Sequence, residues 1–112
     1  MIYELAKELK DAGFPFRQIK EDELALRGFE RSQVQSGFVF GDGIEWFEPN
    51  LSELIEACGE GFFAISHWPE GWTAEGGPII QGKDNLWTAQ IQCKNLPTAE
   101  ESVANLWLAL HQ

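Results

Sequence analysis

Between Leu86 and Leu110 the apolar spacing of this chain changes period once, abruptly. In LWTAQIQCK, residues 86–94, Trp87, Ala89, Ile91 and Cys93 fall on one side, and Thr88, Gln90 and Gln92 on the other. That is the two-residue alternation of a strand with unlike faces. In PTAEESVANLWLALHQ, residues 97–112, Ala99, Val103, Leu106, Trp107 and Leu110 share one helical face, which Leu108 widens. Thr98-Ala-Glu-Glu101 has the spacing of a capping box. A strand feeding straight into a capped amphipathic helix buries both apolar sides if the helix closes over the sheet. The helical stripe is therefore expected to be core, with a docking face as the lesser reading.

The rest of the chain supplies more elements of both kinds. Ile2, Leu5, Ala6, Leu9 and Ala12 give residues 2–12 one apolar helical face, with Lys10 in the last turn. Gly13 is placed to cap that helix, Phe14 to make the accompanying hydrophobic contact, and Pro15 to stop it. Residues 16–35 show no clean period and read as a loop with a short helix or strand. SGFVF and IEWFE, joined by Gly41-Asp42-Gly43, predict a β-hairpin over 36–48. LSELIEAC, residues 51–58, predicts a second helix, capped by Asn50 or Ser52, with Leu51, Leu54, Ile55 and Cys58 on its apolar face. FFAISHW (62–68) reads as a strand, Pro69-Glu-Gly71 as a turn, and Trp72-Thr-Ala-Glu75 as a short strand paired back. The breakers in EGGPIIQGKDN predict a loop over 75–85. Without strand–helix–strand alternation, this is an α+β protein. Its expected form is a mostly antiparallel sheet of about four to five strands, with N-terminal, central and C-terminal helices packed on it.

A length of 112 residues fits a single domain, 1–112, and 44% hydrophobic residues suffice for a core. Apolar runs are too short to span a membrane, and the charged N-terminus lacks the pattern of a secretory signal. The expected location is cytoplasmic. Cys58 and Cys93 make no CxxC pair and read as reduced thiols packed as small hydrophobes, with a disulfide between them as the lesser reading.

Charge separates the chain more sharply. The net charge is -10, and residues 41–112 carry two Lys/Arg (Lys83, Lys94) against eleven Asp/Glu. No Lys or Arg occurs between Gly41 and Gly82. Such a field repels phosphate, so direct nucleic-acid binding and docking on an anionic membrane are both disfavoured. A basic protein partner is the complement it favours.

The chain has no phosphate-binding loop, dinucleotide fingerprint or nucleophile elbow. Ser66 and His67 are adjacent in a strand and so point to opposite faces. Asp42, Glu45 and Glu48 lack the alternate spacing of a calcium loop. No catalytic pair, metal site or cofactor is expected. The tryptophans at 46, 68, 72, 87 and 107 are many for this length, and three or four should be core. Trp68 and Trp72 flank the turn at Pro69-Glu-Gly71, where an exposed ring beside acids would anchor a partner. The candidate partner-binding residues are Trp68 and Trp72 with Glu45, Glu48, Glu70 and Glu75.

Three stretches carry a resemblance. Glu4-Leu-Ala-Lys-Glu-Leu-Lys-Asp-Ala-Gly-Phe-Pro15, Pro49-Asn-Leu-Ser-Glu-Leu-Ile-Glu-Ala-Cys-Gly59 and Thr98-Ala-Glu-Glu-Ser-Val-Ala-Asn-Leu-Trp-Leu-Ala-Leu110 are similar to a group of small uncharacterised proteins of bacteriophages, prophages and other mobile bacterial DNA. Those proteins show "PTLSELIEACG" and "TPEEAVANLWLAL" in the same order. The match covers the three helices, and this chain departs from it with Asn50 for Thr and Ala99 for Pro. The resemblance implies a mobile-element origin and carries over no catalytic residue. The strand-to-helix ending is also similar to antitoxins of the HicB type.

These readings together predict a non-enzymatic acidic accessory protein acting by protein–protein contact. One alternative is a small-molecule-binding domain or minor enzyme, with a pocket lined by His67, Trp72 and Trp87. Another is an antitoxin-like partner of a small basic toxin. An exposed hairpin edge would also allow a homodimer.

Overall fold

The change of period at the end of the chain builds a strand followed by a helix that covers its sheet. The computed structural model describes residues 1–19, 37–41, 43–82 and 86–111. In order, the elements are α1 (Tyr3–Asp11), β1 (Gly37–Val39), β2 (Glu45–Phe47), α2 (Leu51–Cys58), a 3₁₀ turn (Gly59–Gly61), β3 (Phe62–Trp68), β4 (Gly71–Gln81), β5 (Trp87–Leu96) and α3 (Ala99–Leu110). The fold is α+β. Among the described residues all strand pairs are antiparallel, and they form two sheets, β1–β2 and β3–β4–β5. The chain divides into two compact units, Ile2–Pro49 and Met1 with Asn50–Gln112.

In the first unit, Leu5, Ala6 and Leu9 of α1 are buried, while Ile2, at the end of the predicted face, is exposed. The helix ends as its sequence requires. The Phe14 amide donates to the Leu9 carbonyl and the Gly13 amide to that of Lys10, with Gly13 at φ +90°. The hairpin pairs Phe38 with Trp46, and Phe16, Phe38 and Phe40 form a buried aromatic cluster. Ring centroids of Phe16 and Phe40 lie 5.4 Å apart. Residues 17–19, within the stretch read as a loop with a short helix or strand, pair antiparallel with β2 through an isolated bridge at Gln18 and Trp46. The Ile19 amide donates to the Glu45 carbonyl, and the Phe47 amide to that of Arg17. The remainder of that predicted loop, from Lys20, lies outside the described residues.

The second unit holds the larger sheet. Asn50 caps α2 through a full capping box with Glu53: the Glu53 amide donates to Asn50 Oδ1 at 2.8 Å, and the Asn50 amide donates to Glu53 Oε1. Thr98 caps α3 by accepting from the Glu101 amide at 3.1 Å, which is one of the two bonds of the expected capping box. Along the sheet, Ile65, Ala74 and Cys93 are opposed across the three strands, with Gly76 opposite Ile91 one step on. α3 lies on this face and α2 packs against α3. Val103, Leu106 and Trp107 are buried, and so are Ser102 and Ala104, making the stripe wider than its apolar residues alone indicate. The Ser102 hydroxyl meets its burial by donating to the Ala99 carbonyl at 2.7 Å.

The predicted loop over 75–85 is corrected: Glu75–Gln81 continue β4. The breakers are accommodated by a bulge. Between the pairs Gly76–Ile91 and Ile79–Ala89, β4 places two residues against one. One of them is Gly77 at φ +80°, a conformation that suits glycine. The other is Pro78, and its missing amide is tolerated because β3 ends its pairing at Gly76. Gly76 itself permits the close approach of α3. A methyl group there would meet the Gly61 carbonyl oxygen and come within 2.9 Å of Leu106 Cδ1.

Candidate functional site

Of the two tryptophans that flank the Pro69-Glu-Gly71 turn, Trp68 is exposed and Trp72 is half-buried. β3 and β4 are joined by the two-residue loop Pro69-Glu70, with Trp68 paired to Gly71 and His67 paired to Trp72. Because side chains alternate along each strand, that register puts Trp68 and Trp72 on opposite faces of the hairpin. Trp72 lies on the face that carries α3. It is half-buried, opposes Leu96 on β5 and stacks on His67 with centroids 4.3 Å apart. Trp68 lies on the other face and is 56% exposed. Its indole Nε1–H donates to Ser66 Oγ at 2.8 Å. Two residues apart on one strand face, Ser66 thus holds the Trp68 ring in place. Ser66 has no local relation to His67, which points the other way.

The predicted site residues are only partly gathered. Trp68, Trp72 and Glu70 share the β3–β4 hairpin end, where Glu70 is exposed. Glu75 is half-buried further along β4, opposite Ala64 and Gln92. Glu45 and Glu48 are half-buried in the other unit, in and just after β2. The His67–Trp72–Trp87 lining is not formed. His67 and Trp72 sit at the Leu96 end of the sheet and Trp87 at its opposite end, nine residues along β5, roughly 30 Å away at strand rise.

Sequence reasoning missed that opposite end. β4 and β5 run on as a two-stranded ribbon past the last β3 pair, and expose Ile79, Ile80, Leu86 and Trp87. Trp87 has the predicted parity with Ala89, yet it is 60% exposed. The available signal was length: α3, at twelve residues, spans about 18 Å, whereas ten residues of β5 span about 33 Å. Of the tryptophans expected in the core, Trp107 is buried and Trp46 and Trp72 are half-buried.

Cys58 and Cys93 are free. Burial pushes the Cys58 thiol up to about 11, with the neighbouring Cys93 adding to the rise, and burial raises Cys93 as well. Neither thiol is thereby activated as a nucleophile. Asp42, considered for a metal, lies outside the described residues. Among the described residues no group of three or more His, Cys, Asp or Glu is placed to hold a metal ion. None of their helices is long and apolar enough to cross a membrane. The chain matches no family model, no curated protein and no solved structure.

Proposed function

We propose that this chain is a non-catalytic accessory protein of phage or mobile-element type, which acts by binding a basic protein partner at the Trp68 end of its larger sheet. The observation that carries the reading is the exposed Trp68 ring, held by Ser66, within a stretch that has no Lys or Arg from Gly41 to Gly82. An indole face attracts Lys and Arg side chains, and nearby carboxylates such as Glu70 reinforce that choice of charge. Fixing the ring before binding lowers the ordering cost on association. The chain uses the same chemistry internally, where Lys10 Nζ lies 4.3 Å from the centre of the Trp46 ring. The mobile-element origin is supported by the resemblance of the three helical blocks.

Affinity capture from bacterial lysate at low and high salt tests the reading, with the wild type beside Trp68→Ser. A basic partner should be retained by the wild type at low salt, released at high salt, and lost from the variant at both. Equal retention by the two chains, or no enriched partner at either salt, would contradict it.

A further inference from the structure

The far end of the same sheet has a different chemistry. β5 is an edge strand, paired only with β4 among the described residues. Natural edges are blunted by charge, proline, bulges or brevity. β3, the opposite edge, is interrupted by a bulge at Phe63. From Trp87 to Cys93, β5 has no charged residue and no proline, and the irregularity in its pairing opposite Gln90 has its extra residue in β4, on the side away from the free edge. An extra residue in β5 itself comes where Lys94 and Asn95 bulge against Thr73, with Asn95 at φ +64°. From Gly76 to Cys93 the sequence carries just Lys83 and Asp84, whose charges cancel.

We infer that β5 is the joint between two copies of this chain, paired antiparallel about a two-fold axis at Gln90. Charge selects the occupant. A copy with net charge -10 is repelled by most of this molecule but not by this strip, whereas a basic partner finds no countercharge here. The sequence of the strip is also complementary to itself. A two-fold at Gln90 sets Gln90 against Gln90 of the other copy and Thr88 against Gln92, all of them exposed. Amide and hydroxyl groups both donate and accept, so such a ladder satisfies each side with its own kind. On the other face, the exposed Trp87 comes opposite the half-buried Cys93, and Ala89 opposite Ile91.

This pairing responds to salt in the opposite sense to capture through Trp68. Salt screens the repulsion between acidic copies, so it tightens the dimer while it weakens binding of a basic partner. The two readings therefore fail separately.

Sedimentation equilibrium of the full chain tests the inference, with the wild type, Gln90→Lys, Gln90→Glu and an equimolar mixture of the two variants. The wild type should dimerise, and more tightly at high salt. Each variant alone should dimerise more weakly, by up to about fivefold, because like charges then face each other across the axis. The mixture should restore the dimer by pairing opposite charges, which also shows that the variants are folded. A wild type that is monomeric at both salts overturns the inference, as does a Gln90→Lys chain that dimerises as the wild type does. Variants that remain monomeric when mixed overturn the Gln90 register.

Discussion

Gly76 shows how a single residue sets the spacing between helix and sheet. It lies opposite Phe62 on one side and Ile91 on the other, directly in the path of Leu106. Gly76→Ala should destabilise the protein by about 1–3 kcal/mol through overpacking, read as a lower denaturant midpoint with unchanged slope. An unchanged midpoint would show that α3 is not seated there. Cys58 gives a pH-dependent counterpart. Its folded thiol is raised from about 9 to about 11, so between those values the unfolded chain ionises while the folded one does not. Stability should therefore be full below about pH 9 and fall as pH rises toward 11. Denaturant midpoints for Cys58→Ala should fall less over that interval than those of the wild type, and parallel curves would refute the assignment. At this scale Trp68 was legible because Pro69-Glu-Gly71 marks a turn. The separation of Trp72 from it was not legible, because it depends on a loop of two residues, and one residue more would reverse the faces.

Among the elements, α3 was the most legible. Its cap, its face and its burial all follow from residues 98–110, since a capping threonine and a 3.6-residue stripe are local signals. The extent of β4 was not legible. Gly76-Gly77-Pro78 signal a break locally, and only the partner strand shows that the break is a bulge within a longer strand. The exposure of Trp87 was hidden for a related reason: alternation reports which face a residue is on, and not whether a helix reaches that far along it. The core role of α3 has a direct check. Trp107 is 3% exposed with its ring stacked on His111 at 4.0 Å, so Trp107→Ala should cost about 3–5 kcal/mol. A loss below about 1 kcal/mol would return that stripe to the surface.

For the molecule as a whole, the sheet of the Asn50–Gln112 unit has two ends with different chemistry. One presents a fixed tryptophan beside the exposed Glu70, and the other an uncharged strand edge with exposed apolar residues. Net charge was legible from composition. The concentration of exposed apolar surface at the β4–β5 tip was not, because it follows from where β3 and α3 stop. Partner capture through Trp68 tests the central claim most directly, measured from bacterial lysate over a salt series with the wild type beside Trp68→Ser. Trp68 is 56% exposed and its indole hydrogen bond is to Ser66, so the variant should lose no more than about 1–2 kcal/mol and remain folded, and a loss of capture by the folded variant reports on binding. The account predicts a basic partner whose retention falls as salt rises and disappears in the variant. Retention that is equal in the two chains, or that does not fall as salt rises, would contradict it.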